Sequence, residues 1–186
     1  MINGLDIERF RTTMAAIEND HTKGKARLRA DSRWVSGTKN EISVRRFPAF
    51  TTDEPKNMGG ENAAPNPMEY LIGAAAGCCS IGFELQAAQA GVKLEQFEIS
   101  ASGSIDLAKL FGMEDGYGGL DNLVLTVKVK PSYPAKFRRP LRRHLASIEQ
   151  PESAGKSGCG KNLDDSNRFL VFISLKAPFL DNLKRA

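Results

Sequence analysis

Residues 66–79 read NPMEYLIGAAAGCC, and this stretch opens the helix around which the rest of the chain is organised. Asn66 can cap the first backbone amides, Pro67 is tolerated at a first helical position because no donor is needed there, and Glu69 completes a capping box. Apolar residues then recur at helical spacing: Met68, Leu71, Ile72, Ala75, Cys78, Cys79, Gly82 and Phe83. Polar residues enter only in the last turns, so the pattern predicts a long buried helix that becomes amphipathic towards its end.

Two glycines, Gly73 and Gly77, lie one turn apart in the alanine-rich part of this helix. Glycine weakens a helix, so its presence is explained where another backbone must approach closely. We therefore expect the helix to pack against a second helix or against its own copy in a homodimer. Gly91 is the predicted C-terminal cap.

The size and composition of the chain limit its class. With 186 residues, 41% of them hydrophobic, we expect a single domain over 1–186, with 1–24 as an N-terminal helical extension. We find neither a secretory leader nor an apolar run of about 18 residues, and so expect a cytoplasmic protein with no membrane partner. Three cysteines do not make a disulfide framework, and with two histidines they show no metal-ligand spacing. Reduced thiols, one of them reactive, fit this composition better.

The remaining segments alternate between helical, strand-like and loop-like patterns. A helix is predicted over residues 6–19, strands over 26–35, 40–47, 50–52, 97–105, 123–129 and 169–175, a second helix over 134–148, and loops over 53–64 and 150–167. The first two strands form a hairpin around residues 36–39. Together these elements predict an α+β domain of antiparallel strands around the central helix.

Two further segments lie outside this core pattern. The connection at residues 107–119 is too long for a tight hairpin. Its large apolar residues either cover a pocket or pack against one another within the loop. Residues 136–144 are strongly basic, which is most often the solvated face of a helix. Because interleaved aromatic residues and a recognisable module are both lacking, we expect no nucleic-acid binding.

The motif at the front of the helix resembles a known family. Asn-Pro-Met-Glu, followed by an aliphatic, alanine- and glycine-rich helix with Cys78 eleven residues after Pro67, is similar to the OsmC/Ohr family of bacterial peroxide-handling proteins. The strand end at residues 53–55, the Gly-Val-Lys-Leu turn at 91–94 and the two strands that follow fit the same layout, over roughly residues 26–145. The resemblance implies antiparallel strands wrapped around a long central helix in an intertwined homodimer.

The resemblance also implies a catalytic arrangement. In such proteins the helix cysteine attacks the peroxide, an arginine of the N-terminal hairpin stabilises its thiolate, a glutamate at the helix front holds that arginine, and a second cysteine closes a disulfide. In this sequence the corresponding roles fall to Cys78, Lys39, Glu69 and Cys159. The family's second cysteine precedes a proline, whereas Cys159 is simply the remaining thiol and lies in the predicted loop.

Two of these positions depart further from the family pattern. Met68 stands where the family has its glutamate, so Glu69 lies one residue further on, about 100° round the helix. Lys39 is the cation nearest to the arginine position, and Arg45 or Arg46 are its substitutes. Lysine supplies a point charge without the planar fork of arginine.

Each candidate residue also has a plainer structural interpretation. Cys78 could be a small buried hydrophobe, Glu69 only a helix cap, and Cys159 an incidental thiol in an exposed loop. Cys79 is expected to pack, because a disulfide between adjacent helical cysteines would break the helix.

The sequence thus supports two functions. The first is a thiol-dependent peroxidase that reduces small organic hydroperoxides, is re-reduced by a cellular thiol and uses no bound cofactor. The second is a non-catalytic binding protein of the same fold, which holds a small apolar ligand in a pocket between subunits. Met68, Leu110, Phe111 and Tyr117 would make that pocket apolar.

Overall fold

The computed structural model describes residues 1–132, 160–163 and 169–175. Two compact units are present. Residues 8–71 form one, called here the hairpin unit, and residues 1–7 with those from 72 onwards form the other, called the cysteine unit. The expectation of one domain over the whole chain stays a prediction.

The described residues form three α-helices: α1 (Ile7–Asn19), α2 (Pro67–Gln89) and α3 (Leu107–Leu110), with short 3-10 helices at His21–Gly24 and Lys56–Met58. Beyond α2, Gly91 has a φ of +70°, and the N–H of Val92 donates to the carbonyl of Ala87 at 2.9 Å. This left-handed turn ends α2 and confirms the predicted glycine cap. The helix predicted at residues 134–148 lies outside the described residues.

The hairpin unit contains a three-stranded antiparallel sheet. Its strands are β1 (Asp31–Ser36), β2 (Lys39–Ser43) and β3 (Phe50–Thr52), in the order β1-β2-β3. The hairpin predicted around residues 36–39 is confirmed. The first strand begins at Asp31 and not at residue 26, because β2 ends at Ser43, which is the register partner of Asp31.

The cysteine unit contains a four-stranded antiparallel sheet. Its strands are β4 (Leu94–Ser104), β5 (Asp121–Pro131), β6 (Gly160–Leu163) and β7 (Phe169–Leu175), in the order β4-β5-β7-β6. The prediction of a continuous loop over residues 150–167 is wrong at β6. Among the described strands β6 pairs only with β7, with Leu163 opposite Phe169, and a short polar edge strand shows no alternating pattern in the sequence. The predicted mixture of helices and antiparallel strands is confirmed.

The buried core of the cysteine unit joins the end of α2 to β4 and β5. Its members are at most 8% exposed: Cys79, Phe83, Ala87, Val92, Leu125, Val127 and Val129. The ring centres of Phe83 and Phe97 lie 5.8 Å apart. By length and composition alone α2 could cross a membrane, yet its final turns pack in this protein core. The rear of α2 is therefore part of the core of this unit.

Candidate functional site

Two adjacent cysteines near the middle of α2 lie in different surroundings. Both are free thiols; Cys78 is exposed and Cys79 is buried. Successive helical residues point about 100° apart, so one side chain can meet the core while the other leaves it. Burial raises the pKa of the Cys79 thiol, and the neighbouring Cys78 raises it further. Cys78 is therefore the accessible thiol of the pair, and Cys79 packs as predicted.

Cys78 lies on an exposed apolar face of α2. We call this surface the Cys78 face; its members are Ala74, Gly77, Cys78 and Ile81, which recur at helical spacing and are exposed. Ile81 is 58% exposed. A Cβ added to Gly73 or Gly77 would meet no other part of the described chain within 4 Å. The close neighbour that the glycines predict is thus not supplied by the described residues, and the front of α2, predicted to be buried, is largely exposed in the single chain.

The hairpin unit carries the predicted cation, Lys39, at the start of β2. Its Nζ lies 2.7 Å from Oε2 of Glu61, and the Lys39 side chain is 26% exposed. The hydrogen bond that Lys39 donates to Glu61, and the negative charge of Glu61, raise the pKa of Lys39, so the amine is held in its protonated form. Within this unit Glu61, and not Glu69, is the acid that pairs with Lys39.

A buried carboxylate, Asp53, ties the loop that carries Glu61 to the hairpin. Asp53 directly follows β3 and is 2% exposed. Its Oδ1 accepts from Oγ1 of Thr38 (2.6 Å) and from the N–H of Glu54 (2.9 Å), and its Oδ2 accepts from the N–H groups of Glu61 (3.1 Å) and Ala63 (3.0 Å). The Thr38 bond, followed by the backbone bonds, lowers the pKa of Asp53 to about 2, because every donor favours the ionised form.

The low pKa of Asp53 predicts how the free energy of unfolding depends on pH. Because its ordinary value is 3.8 and its native value is about 2, its contribution to stability is fully present above about pH 4 and is lost as the pH falls through about 2. We expect the difference in unfolding free energy between wild type and Asp53→Asn to shrink across this range. Denaturant unfolding at each pH measures it, with the exposed Asp31→Asn as control. A difference that stays constant would contradict the assignment.

Glu69 caps the front of α2. Its N–H donates to Oδ1 of Asn66 at 2.9 Å, and the N–H of Asn66 donates to Oε2 of Glu69 at 2.8 Å. This reciprocal pair is the predicted capping box. A catalytic role for Glu69 stays a prediction.

Two substitutions separate the cap from a role for the charge of Glu69. Glu69→Gln keeps an acceptor for the Asn66 amide, whereas Glu69→Ala removes it. We expect the free energy of unfolding to fall by about 1 kcal/mol for Ala and by less than about 0.5 kcal/mol for Gln. Urea unfolding measures both, and equal losses would contradict the cap. If Glu69→Gln keeps its stability but no longer consumes hydroperoxide, the charge belongs to the chemistry.

The substitute cations, Arg45 and Arg46, lie in the turn after β2. Arg45 has a φ of +52°, and its guanidinium carbon lies 4.6 Å from the ring centre of Phe47. The N–H of Phe47 donates to the carbonyl of Val44 and closes the turn. Arg45 is therefore engaged within its own turn through a cation–π contact. The other predicted site residue, Cys159, lies outside the described residues, as does the basic segment at 136–144.

Sequence reasoning did not identify Asp53 or Glu61 as candidates for the site. In the sequence Asp53 stands out only as a strand end, and Glu61 as one residue of a polar loop. The signal that could have found them is the glycine pair between them. A Cβ at Gly60 would clash with the backbone of Glu54, so the loop closes on itself in a way that only glycine permits.

The central segment of the chain is similar to known proteins. Residues 59–145, which include all of α2 with Cys78, match the family model described as OsmC-like protein. A structure from Vibrio cholerae O1 biovar eltor, described as an organic hydroperoxide resistance protein with captopril bound in one of its active sites, is also similar. The similarity covers 66% of this chain and 81% of that chain, at 20% sequence identity and a TM-score of 0.44. No curated protein matches the chain.

Proposed function

We propose that the chain, whose residues 59–145 match the OsmC-like family model, is a thiol-dependent peroxidase that reduces small organic hydroperoxides at Cys78. The observation that carries the proposal is a free, exposed thiol at the cysteine position of the family motif. The apolar residues of the Cys78 face suit the hydrocarbon part of an organic hydroperoxide.

The proposed chemistry is a two-electron reduction of the O–O bond. The Cys78 thiolate attacks the terminal oxygen; an S–O bond forms as the O–O bond breaks, which leaves a sulfenic acid and an alkoxide that takes up a proton to become the alcohol. A second thiol, for which we propose Cys159, then attacks the sulfenic sulfur, forming the disulfide and releasing water. A cellular thiol reductant restores both thiols by exchange, which agrees with a reducing, cytoplasmic location.

Lys39 is proposed to supply the positive charge that favours the Cys78 thiolate. The helix dipole fades within the first turn of α2, and Cys78 lies about three turns from the start, so the charge must come from elsewhere in the protein. A protonated amine beside a thiol favours its ionised form. The amine of Lys39 carries its positive charge at neutral pH, as this role requires, and its raised pKa does not alter that. Glu69, at the front of α2, is the further carboxylate proposed for the site.

Mixing the fully reduced protein with cumene hydroperoxide tests the proposal. We expect one equivalent of cumyl alcohol per chain without reductant and continued turnover when dithiothreitol is added. Protein alkylated beforehand with iodoacetamide is the control. If the free-thiol content of the untreated protein does not change, the peroxidase proposal is wrong.

We also propose that the active form is an intertwined homodimer, in which the long helix is wrapped by strands and the second copy lies beside the Cys78 face as one wall of the pocket that receives the substrate. The support is the exposed apolar surface of α2 and the open space beside Gly73 and Gly77 among the described residues. Small residues allow two backbones to approach closely, so an unfilled glycine pair on an exposed helix suits a symmetric contact.

A charge placed on the Cys78 face should separate the subunits. We expect Ile81→Glu to sediment as a monomer at micromolar concentration, because the dimer would have to bury an unpaired carboxylate. Ala90→Glu, just after α2, is the matched control and should remain dimeric. Analytical ultracentrifugation distinguishes the two states, and a wild-type protein that is already monomeric would contradict the dimer.

The alternative function is a non-catalytic protein that binds a small apolar ligand. The observation in its favour is a cluster of exposed apolar residues in and after α3: Leu110 (45% exposed), Phe111 (55%), Met113 (77%) and Tyr117 (37%). Alkylation of Cys78 with iodoacetamide across pH discriminates the two functions. A thiol no more reactive at neutral pH than that of a free cysteine peptide would favour binding.

A further inference from the structure

We propose that Asp53 is a positioning residue for the cation of the peroxide site: its carboxylate holds both partners of the Lys39–Glu61 ion pair. This inference rests on the proposed function, because it concerns how Lys39 is presented to its chemistry. The sequence motifs assign no role to Asp53, and the proposed mechanism above does not use it.

The two oxygens of Asp53 reach the two sides of the ion pair separately. Oδ1 accepts from the hydroxyl of Thr38, the residue before Lys39, at 2.6 Å. Oδ2 accepts from the backbone N–H of Glu61 at 3.1 Å, and the side chain of Glu61 meets Lys39 Nζ at 2.7 Å. Asp53 therefore holds the side chain of Thr38, next to Lys39, on one side of the ion pair and the backbone of Glu61 on the other.

The loop between Asp53 and Glu61 is closed by further bonds to the backbone. The N–H of Asn62 donates to the carbonyl of Glu54 at 3.0 Å, and the N–H of Ala63 donates to Oδ2 of Asp53 at 3.0 Å. Within the loop Gly59 has a φ of +84°, a conformation that favours glycine. This closed loop fixes the position of the Glu61 backbone.

A fixed partner matters more for lysine than it does for arginine. The ammonium group sits on a flexible stem with three freely rotating donors, so it lacks the rigid fork that aims a guanidinium. An exposed ion pair by itself orders such a chain weakly, and Glu61 has a side chain that is 74% exposed. The buried Asp53 carboxylate supplies the rigidity that the pair lacks.

If Asp53 only stabilised the loop, replacing it would lower the free energy of unfolding. The reactivity of Cys78 would then be unchanged in protein that is still folded. A positioning role predicts in addition that the pH profile of Cys78 alkylation shifts, and that the shift requires Lys39. Mass spectrometry of the peptide that contains Cys78 gives the alkylation rate at each pH, and this measurement needs no peroxide.

The experiment compares Asp53→Asn, Lys39→Met, the double variant and the control Asp31→Asn, each full-length and shown to be folded by circular dichroism. We expect Lys39→Met and Asp53→Asn each to slow iodoacetamide alkylation of Cys78 at pH 7 by about fivefold to tenfold, and to move its midpoint to higher pH. The double variant should be no slower than Lys39→Met, because Asp53 acts through Lys39.

Three results would overturn the inference. The pH profile of Cys78 alkylation could be unchanged in Asp53→Asn, or unchanged in Lys39→Met. Alternatively, Asp53→Asn could slow alkylation by the full amount even when Lys39 is already replaced. If Asp53→Asn does not fold, Thr38→Val decides instead: it removes the hydroxyl that donates to Oδ1 and that accepts from the N–H of Glu54 at 3.4 Å, and it leaves both bonds to Oδ2 in place. A wild-type protein that consumes no hydroperoxide would refute the proposed function, and the alkylation comparison would still decide the role of Asp53.

Discussion

Replacing Cys78 with serine is expected to abolish the consumption of cumene hydroperoxide, with a fall in rate of roughly a thousandfold or more, as is usual when a nucleophile is removed. The reason is chemical: the thiolate is the nucleophile, and a serine hydroxyl is not appreciably ionised at neutral pH. The side chain is exposed, so its replacement should leave the fold intact. The assay is the formation of cumyl alcohol in the presence of excess dithiothreitol.

Cys79 provides the matched control on the same helix. Burial raises the pKa of its thiol, so it is held protonated, and it lies in the core of the cysteine unit. We expect Cys79→Ala to retain most of the peroxide consumption, with a loss of stability from the small cavity. Equal activity in Cys78→Ser and wild type, or complete loss in Cys79→Ala alone, would move the chemistry away from Cys78.

The elements that could be predicted from the sequence are those set by local signals. The capping box of Asn66 and Glu69 and the cap at Gly91 each involve residues within a few positions, and both were confirmed. The bounds of β7 at Phe169–Leu175 follow from a short apolar run, and those of β3 at Phe50–Thr52 agree with the predicted range. Local hydrogen bonding and periodicity are enough to predict such features, because no long-range contact is needed to form them.

The features that were missed depend on residues far apart in sequence. Lys39 and Glu61 are 22 positions apart, and Asp53 and Thr38 are 15 apart, so no spacing rule links them. The strand β6 was missed because its pairing with β7 uses the backbone, which any side chain allows. These contacts arise when the loop closes and the sheet is completed, and a one-dimensional pattern does not carry that information.

The exposed front of α2 has a different explanation. An apolar run predicts burial, but it does not specify which surface does the burying. In the single chain only the rear of α2 meets the described core, through Phe83, Ala87 and Cys79. A helix with a covered rear and an uncovered apolar front is what an obligate dimer requires of each subunit, so the mismatch between prediction and single chain supports the proposed assembly.

Phe83→Ala is expected to be the most destabilising single substitution among those considered, lowering the free energy of unfolding by about 3–5 kcal/mol. The side chain is 1% exposed and belongs to the same buried cluster as Val92, Leu125 and Val127, and the centre of its ring lies 5.8 Å from that of Phe97. Truncation removes most of a large apolar side chain from the contact between α2 and the sheet and leaves a cavity there.

The same truncation at an exposed site isolates the effect of burial. Phe111→Ala removes an identical set of atoms from a residue that is 55% exposed, and we expect it to change the free energy of unfolding by less than about 0.5 kcal/mol. Phe83→Leu should fall between the two, because leucine refills part of the space. Urea unfolding of the three variants measures the series. If Phe83→Ala lowers the free energy of unfolding no more than Phe111→Ala does, the end of α2 does not pack on β4 and β5 in solution. The packing that keeps Cys78 on the outward side of this helix would then be absent.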